Sequence, residues 1–159
     1  MWRGRVLAIL VRPEISQPVM AKQAVRAVPN GGLEGDYAFS TSREGQSDPS
    51  REVTLLESEA LEALKKEQGI ELTFEQSRRN ILTHSVPLNH LVGKKFQIGE
   101  VVLRGIRLCE PCKKLAQNTQ PEVLPALIHR GGLRAEILTE GLLQVGDPIF
   151  PLEETEGQE

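Results

Sequence analysis

The stretch Ile98-Gly99-Glu100-Val101-Val102 places a glycine and an acid between two apolar runs, residues 95–98 and 101–108, which are predicted strands. A second stretch, Val145-Gly146-Asp147-Pro148-Ile149, has the same pattern of an apolar residue, a glycine, an acid, any residue and an apolar residue. A glycine within strand sequence often marks a bulge or a tight bend. Both stretches therefore predict a chain that turns sharply into a strand, as at the corners of a small β-barrel.

The other elements predicted from the sequence are mostly strands, and their order is irregular. Strands are predicted at 6–11, 22–28, 53–56, 80–83, 133–139 and 145–152. Three helical segments are predicted. The first runs from an N-cap at Ser58 to about Gln68, with Gly69 as the stop. The second is a helical turn that opens with a capping box over 73–76, and the third covers 121–130. Because regular strand–helix alternation is absent, we expect a mainly β fold, a small β-barrel with a few accessory α-helices, rather than a doubly wound α/β sheet.

Length and charge limit the classes of function. A chain of 159 residues can bury a real core, and we expect one domain over residues 1–152 followed by an acidic, disordered tail over 153–159. With 19 basic and 22 acidic side chains, a net charge of −3 and no long basic run, we expect neither a nucleic-acid partner nor a membrane surface. The apolar run 6–11 is too short for a secretory signal or a membrane span. The Ser- and Gly-rich stretch 39–50 is predicted to be a loop.

The two cysteines of the chain, Cys109 and Cys112, lie two residues apart at the end of a predicted strand. In a chain without a signal peptide, such a pair fits the reducing cytoplasm and points to catalysis or metal binding rather than to a structural disulfide. Pro111 stiffens the turn, and the charge of Lys113 beside Cys112 favours the thiolate, which is the nucleophilic form and the metal-binding form. We therefore predict Cys112 and Lys113 as the catalytic residues.

Four interpretations of the Cys-x-x-Cys pattern remain open from the residues alone. It suits a dithiol oxidoreductase, although the 47 residues after Cys112 leave little room for a thioredoxin-like fold. It suits half a zinc site, although the three histidines show no paired spacing. The cysteines also suit two small buried side chains at a strand end. The interpretation we favour is one working thiol, Cys112, that carries sulfur or binds a soft metal.

Four polar residues outside the cysteine segment are candidate ligand-binding residues. Arg79 and Asn80 precede a predicted strand, and guanidinium forks bind phosphate or carboxylate in a bidentate way. Arg51, at the end of the predicted loop, suits the same role, and both arginines also suit surface charge or an internal ion pair. Asp36 follows the glycine turn Gly32-Leu33-Glu34-Gly35, where its carboxylate either caps backbone amides or faces a ligand.

Taken together, these segments resemble the MOSC domain, named for the C-terminal domain of molybdenum-cofactor sulfurase. The resemblance covers about residues 32–149 and rests on five pieces in order: Gly32-Leu33-Glu34-Gly35-Asp36; Arg51-Glu52-Val53-Thr54-Leu55-Leu56; Arg79-Asn80-Ile81-Leu82-Thr83; Leu91-Val92-Gly93 with Phe96-Gln97-Ile98-Gly99-Glu100-Val101; and Glu110-Pro111-Cys112-Lys113-Lys114-Leu115. This chain differs at Tyr37-Ala38, where many stand-alone bacterial members have Arg-His.

The resemblance implies a β-barrel related to the pyruvate-kinase barrel domain and a role in handling sulfur or the molybdenum cofactor (molybdopterin). Cys112 matches the key cysteine of the family, which ligates molybdenum in reductases of N-hydroxylated compounds and is proposed to carry sulfur as a persulfide in other members. Asp36, Arg51, Arg79 and Asn80 are then expected to line the pocket of a small-molecule or cofactor ligand, and a sulfur donor or a reductase protein is the expected partner. Pyridoxal phosphate is not expected, since it belongs to the separate desulfurase domain of larger family proteins.

Two other classes of function stay open beside this one. A non-catalytic barrel that binds a cofactor or docks on a partner enzyme would bind its ligand without Cys112. A dithiol oxidoreductase would require both Cys109 and Cys112.

Overall fold

The computed structural model describes residues 1–14, 16–39, 48–109 and 130–153. Several predicted features lie outside these residues: most of the loop 39–50, the helix 121–130, the tail after Glu153, and the candidate catalytic pair Cys112 and Lys113.

Seven strands close into a barrel, as the sequence predicted. Around the barrel their order is β1-β11-β7-β8-β9-β5-β6 and back to β1, and β2 pairs with residues 9–11 of β1. The bounds of these strands are β1 (Gly4–Val11), β2 (Met20–Lys22), β5 (Val53–Glu57), β6 (Ile81–His84), β7 (Lys95–Ile98), β8 (Val101–Leu108), β9 (Leu133–Ile137) and β11 (Pro148–Pro151).

A smaller sheet of three antiparallel strands covers part of the barrel. Its strands are β3 (Ala24–Val28), β4 (Gly32–Leu33) and β10 (Gly141–Gln144), in the order β10-β3-β4. The helices are short: α1 (Ser58–Ala63), α2 (Phe74–Ser77), two 3-10 turns at Pro49–Arg51 and Leu88–Leu91, and a π-helical turn at Leu64–Gln68. None of the helices formed by the described residues has the length and apolar content needed to cross a membrane.

The core fills the interior of the barrel with branched aliphatic side chains from alternate strand positions. In β9, for example, Leu133, Ala135 and Ile137 are buried and the residues between them are half-buried. Because successive side chains of a strand point to opposite faces, this alternation directs one set into the core. A second cluster outside the barrel joins Leu56 of β5 to Ala60 of α1 and Phe74 of α2.

The two glycine-acid stretches form adjacent corners, which confirms the bends predicted from their shared pattern. Gly99 and Gly146 both have positive φ, 57° and 93°, in the region that glycine adopts without steric cost. The N–H of Gly99 donates to the carbonyl oxygen of Pro148 at 2.9 Å. The carboxylate of Asp147 lies so close that a Cβ on Gly99 would be 2.6 Å from it. The two corners therefore pack on each other where β7 meets β11.

Two strand predictions were wrong in their bounds, and one strand was not predicted. The predicted strand 22–28 is broken at Gln23, because β2 pairs with β1 of the barrel whereas β3 pairs with β10 of the smaller sheet. The predicted strand 145–152 begins only at Pro148, because Gly146 and Asp147 form the corner. β10 was not predicted.

The predicted helix from Ser58 to Gln68 is also different in the structure. Glu57, not Ser58, occupies the N-cap position and makes no side-chain capping bond; the Ser58 hydroxyl bonds to Glu59 instead. The α-helix ends at Ala63 and continues as the π-helical turn up to Gly69, which has a left-handed φ of 67°, as predicted for the stop. The capping box between Thr73 and Gln76 is confirmed, with both reciprocal hydrogen bonds present.

We predict that Gly132→Ala destabilises the protein far more than Gly146→Ala. Both glycines have positive φ, 108° and 93°, so both substitutions carry a backbone cost of about 1–2 kcal/mol. A Cβ at Gly132 would lie 2.1 Å from the carbonyl oxygen of Leu55, whereas nothing lies within 4 Å at Gly146. Urea unfolding should show a loss of roughly 3 kcal/mol or more for Gly132→Ala. Equal losses in the two variants would contradict this close approach of β9 to β5.

Candidate functional site

Asp36 ties the glycine turn to the end of β1. Gly35 has a φ of 89°, and the Asp36 carboxylate accepts the backbone N–H of Arg12 at 2.9 Å and that of Ala38 at 3.3 Å. The carboxylate therefore caps amides, as one of its two sequence interpretations predicts. Asp36 is half-buried, so part of its side chain is open to solvent. Binding of a ligand by Asp36 stays a prediction.

Asn80 joins three barrel strands through one side chain. Its Oδ1 accepts the backbone N–H and the hydroxyl of Thr54 on β5, at 3.0 and 3.1 Å. Its Nδ2 donates to the carbonyl oxygen of Leu10 on β1 at 3.1 Å. Since Leu10 and Arg12 both lie at the end of β1, Asn80 and Asp36 are brought to the same end of that strand.

Arg79 binds backbone carbonyl groups rather than a carboxylate. Its Nε donates to the oxygen of Gly131 at 2.8 Å, its Nη1 to that of Ser77 at 3.4 Å and its Nη2 to that of Cys109 at 3.5 Å. Cys109 and Gly131 lie on either side of residues 110–129, the segment that carries Cys112. The guanidinium of Arg79 therefore connects both ends of that segment to the start of β6.

Arg51 lies in a positively charged surface patch that the sequence did not reveal. Arg107 on β8 and Arg134 on β9 are directly opposite each other, and both donate to Ser50, at 3.5 and 3.2 Å. The Ser50 backbone N–H and hydroxyl donate to the Asp48 carboxylate at 3.0 and 2.7 Å. These two hydrogen bonds lower the pKa of Asp48, and the positive charges of Arg107 and Arg51 lower it further. Arg51 itself is exposed. The patch would attract an anionic ligand.

The Cys109 thiol is enclosed. Its side chain is 1% exposed at the end of β8, and its backbone N–H donates to the oxygen of Gly132 at 2.7 Å. Cys109 thus matches the interpretation of a small buried side chain at a strand end. The role of Cys112 and Lys113, outside the described residues, stays a prediction.

An open cavity of about 410 Å³ lies beside α1, and its lining includes Glu57, Glu59, Ala60, His90 and Arg130. Burial, and then the neighbouring Glu59, raise the pKa of Glu57. Glu59 in turn contacts Nδ1 of His84 at 3.3 Å. Glu57 was not singled out in the sequence, because its burial depends on the later turn around Leu88, which donates a backbone hydrogen bond to it.

Histidine, cysteine and carboxylate side chains do not gather into a metal site within the part of the chain that the structure describes: no three of them lie close enough together.

The fold places the protein in the class of small β-barrel domains, with seven strands in the closed barrel and short helices outside it. The family model of the MOSC domain matches residues 41–150. The chain therefore belongs to the MOSC domain family, as the resemblance indicated.

Solved structures share the fold at low sequence identity. The YUAD protein from Bacillus subtilis is 15% identical, with a TM-score of 0.77, and the match covers 94% of this chain and 97% of that one. YiiM from Geobacillus stearothermophilus is 17% identical, with a TM-score of 0.69, and coverages of 97% and 77%. YiiM from Escherichia coli is 14% identical, with a TM-score of 0.67, and coverages of 95% and 71%. Among curated proteins none matches the chain in sequence.

We predict that Arg79→Lys loosens both ends of the segment that carries Cys112. A lysine keeps the charge but loses the planar set of donors, which should cost about 1–2 kcal/mol in urea unfolding. The amide of Cys109 should also exchange its hydrogen faster. Arg78→Lys, at the exposed neighbouring position, is the control and should stay within about 0.5 kcal/mol of the wild type. Unchanged exchange at Cys109 would contradict the role given to Arg79.

We also predict that Glu57→Gln alters the pH dependence of stability. Because the pKa of Glu57 is raised in the folded protein, the folded state binds more protons than the unfolded chain between the ordinary value of 4.5 and the raised value. The wild type therefore loses stability as the pH rises through this window. Glu57→Gln should remove that loss and stabilise the protein above the window, while Glu62→Gln on the exposed face of α1 should not. Denaturant unfolding below and above the window tests this, and parallel pH profiles for Glu57→Gln and the wild type would refute it.

Proposed function

We propose that this MOSC domain handles sulfur or the molybdenum cofactor through the thiolate of Cys112. The observation that supports this most is the set of bonds made by Arg79, which connect both flanks of the Cys112 segment to the start of β6. Asn80 and Asp36 lie at the end of the neighbouring strand β1. The two described flanks of the Cys112 segment, Cys109 and Gly131, are therefore bonded to the residue that precedes Asn80.

In the sulfur-carrier form of the proposal, Cys112 accepts a sulfur atom from a donor persulfide. The Cys112 thiolate attacks the outer sulfur of the donor persulfide and forms a new S–S bond with it. The S–S bond of the donor breaks, and the inner sulfur of the donor leaves as a thiolate. Lys113 favours the attacking thiolate by its positive charge. A persulfide donor protein in the reducing cytoplasm is the partner that this form requires.

In the cofactor form of the proposal, the Cys112 thiolate ligates molybdenum and the chain binds the pterin. Molybdenum bound there would supply two-electron chemistry for reducing N-hydroxylated compounds, with electrons from a partner reductase. The described residues fit the anionic part of such a ligand at Arg51, since Arg107 and Arg134 add two more positive charges beside it. The donors of Arg79 are already engaged with carbonyl oxygens, so its contribution is to position the segment.

Intact-protein mass spectrometry after incubation with a persulfide donor, together with metal analysis after loading with molybdenum cofactor, tests both forms. The wild type and Cys109→Ala should gain one sulfur atom or bind molybdenum, and Cys112→Ser should do neither. Cys109→Ala is the matched control, because Cys109 is enclosed and is not expected to react.

Three results would redirect the assignment. Ligand binding that persists in Cys112→Ala would favour the non-catalytic binding module. Loss of a thiol-dependent turnover in both Cys109→Ser and Cys112→Ser would favour the dithiol oxidoreductase. Absence of sulfur and molybdenum on the wild type would refute the proposal.

A further inference from the structure

Arg12, directly after β1, is a buried cation with two side-chain nitrogens that have no hydrogen-bond partner among the described residues. It is 8% exposed, and its Nε and Nη1 are enclosed and bond to nothing in the structure. Among the described residues no carboxylate forms an ion pair with it. The Tyr37 ring lies over the guanidinium, with its centre 4.7 Å from Cζ.

The carboxylate of Asp36 lies on the same turn but forms no ion pair with the Arg12 guanidinium. Both oxygens of Asp36 accept backbone N–H groups, one from Arg12 itself and one from Ala38. The Tyr37 ring attracts the cation but accepts no conventional hydrogen bond from either buried nitrogen. Buried charges are normally paired, and an unpaired one destabilises the fold. The described residues supply no such partner for the Arg12 guanidinium.

We propose that Arg12 is the anchor of a binding site for a phosphate-type oxyanion, with the ring of Tyr37 as its cover. A guanidinium is the protein group best suited to such an anion, and the several acceptor oxygens of a phosphate group can take more than one of its donors. The ligand is either free inorganic phosphate or the phosphate group of a larger molecule, because both present the same oxygens.

Tyr37 is placed to open and close this site. Tyr37 has 39% of its surface exposed to solvent. Its backbone N–H donates a hydrogen bond to the carbonyl oxygen of Arg12 at 2.6 Å. The ring can therefore rotate away from the guanidinium while the backbone stays fixed, and the anion enters where the ring was. This site adjoins Asp36 of the pocket in the proposed function. Phosphate binding at Arg12 needs no thiolate, so its failure is distinguishable from failure of the sulfur or molybdenum chemistry.

Calorimetric titration with inorganic phosphate, and separately with phenyl phosphate, tests the site. Chloride at about 0.3 M reduces the Debye length to roughly 6 Å and suppresses weak binding at the exposed patch around Ser50. The wild type should bind both probes. Arg12→Gln should weaken binding at least about tenfold, as expected for losing charge-assisted hydrogen bonds. Arg5→Gln, which removes the same charge from an exposed position of β1, should leave the affinity unchanged.

Two further measurements distinguish a ligand site from a structural arginine. The Nε–H resonance of Arg12 in the wild type should shift on adding phosphate, a readout that needs no variant to fold. In phosphate-free buffer Arg12→Gln should unfold at the same denaturant concentration as the wild type or a higher one, because it removes an unpaired buried charge. Tyr37→Phe keeps the ring and should bind like the wild type.

The source of the anion follows from comparing the two probes. Tighter binding of phenyl phosphate indicates the phosphate group of a larger ligand, and tighter binding of inorganic phosphate indicates the free ion; both support the site. The proposal is overturned if neither probe binds, if Arg12→Gln binds as tightly as the wild type, or if the Arg12 resonance does not respond.

Discussion

Closure of the barrel between β1 and β11 is the constraint on which the other features depend. Gly4 pairs with Ile149 and Arg5 with Pro148, so the first and last barrel strands pair with each other. The unpaired N–H and C=O groups that an open sheet would expose at these two strands are thereby satisfied. Closure also requires the chain to turn sharply between β7 and β8 and before β11, which is where Gly99 and Gly146 lie.

The polar residues near the Cys112 segment act first on the backbone. Asn80 fixes β1, β5 and β6 relative to one another, and Asp36 fixes the glycine turn on the end of β1. Arg79 then connects this frame to the flanks of residues 110–129. These described residues are therefore held by hydrogen bonds among strands rather than within one loop, an arrangement that fixes side chains more precisely than a loop does.

The sequence predicted those parts of the fold that depend on local chemistry. The corners at Gly99 and Gly146 and the capping box after Thr73 follow from backbone freedom and short-range hydrogen bonds, and all are present. The break at Gln23 was not predictable, because it depends on which sheet each half of the segment joins. Tertiary pairing of this kind leaves no periodic signal in the residues themselves.

For the candidate site, the sequence located residues better than it assigned their contacts. Arg79 and Asn80 were correctly placed at the start of a strand, but the partners of Arg79 are as many as 52 positions away. Arg12 drew no attention, since an arginine after a strand is ordinarily exposed and its burial comes from packing against Tyr37 and other distant residues. Burial and distant partners are what a single sequence does not contain.

The enclosure of Cys109 has a consequence for oxidative stress. When a reactive thiol is oxidised to a sulfenic acid, a second accessible thiol nearby can condense with it and prevent further, irreversible oxidation. The chain has only two cysteines, and one of them is 1% exposed at the end of β8. An oxidised Cys112 thus lacks an accessible resolving thiol in its own chain, and its recovery falls to a small-molecule thiol or to another protein.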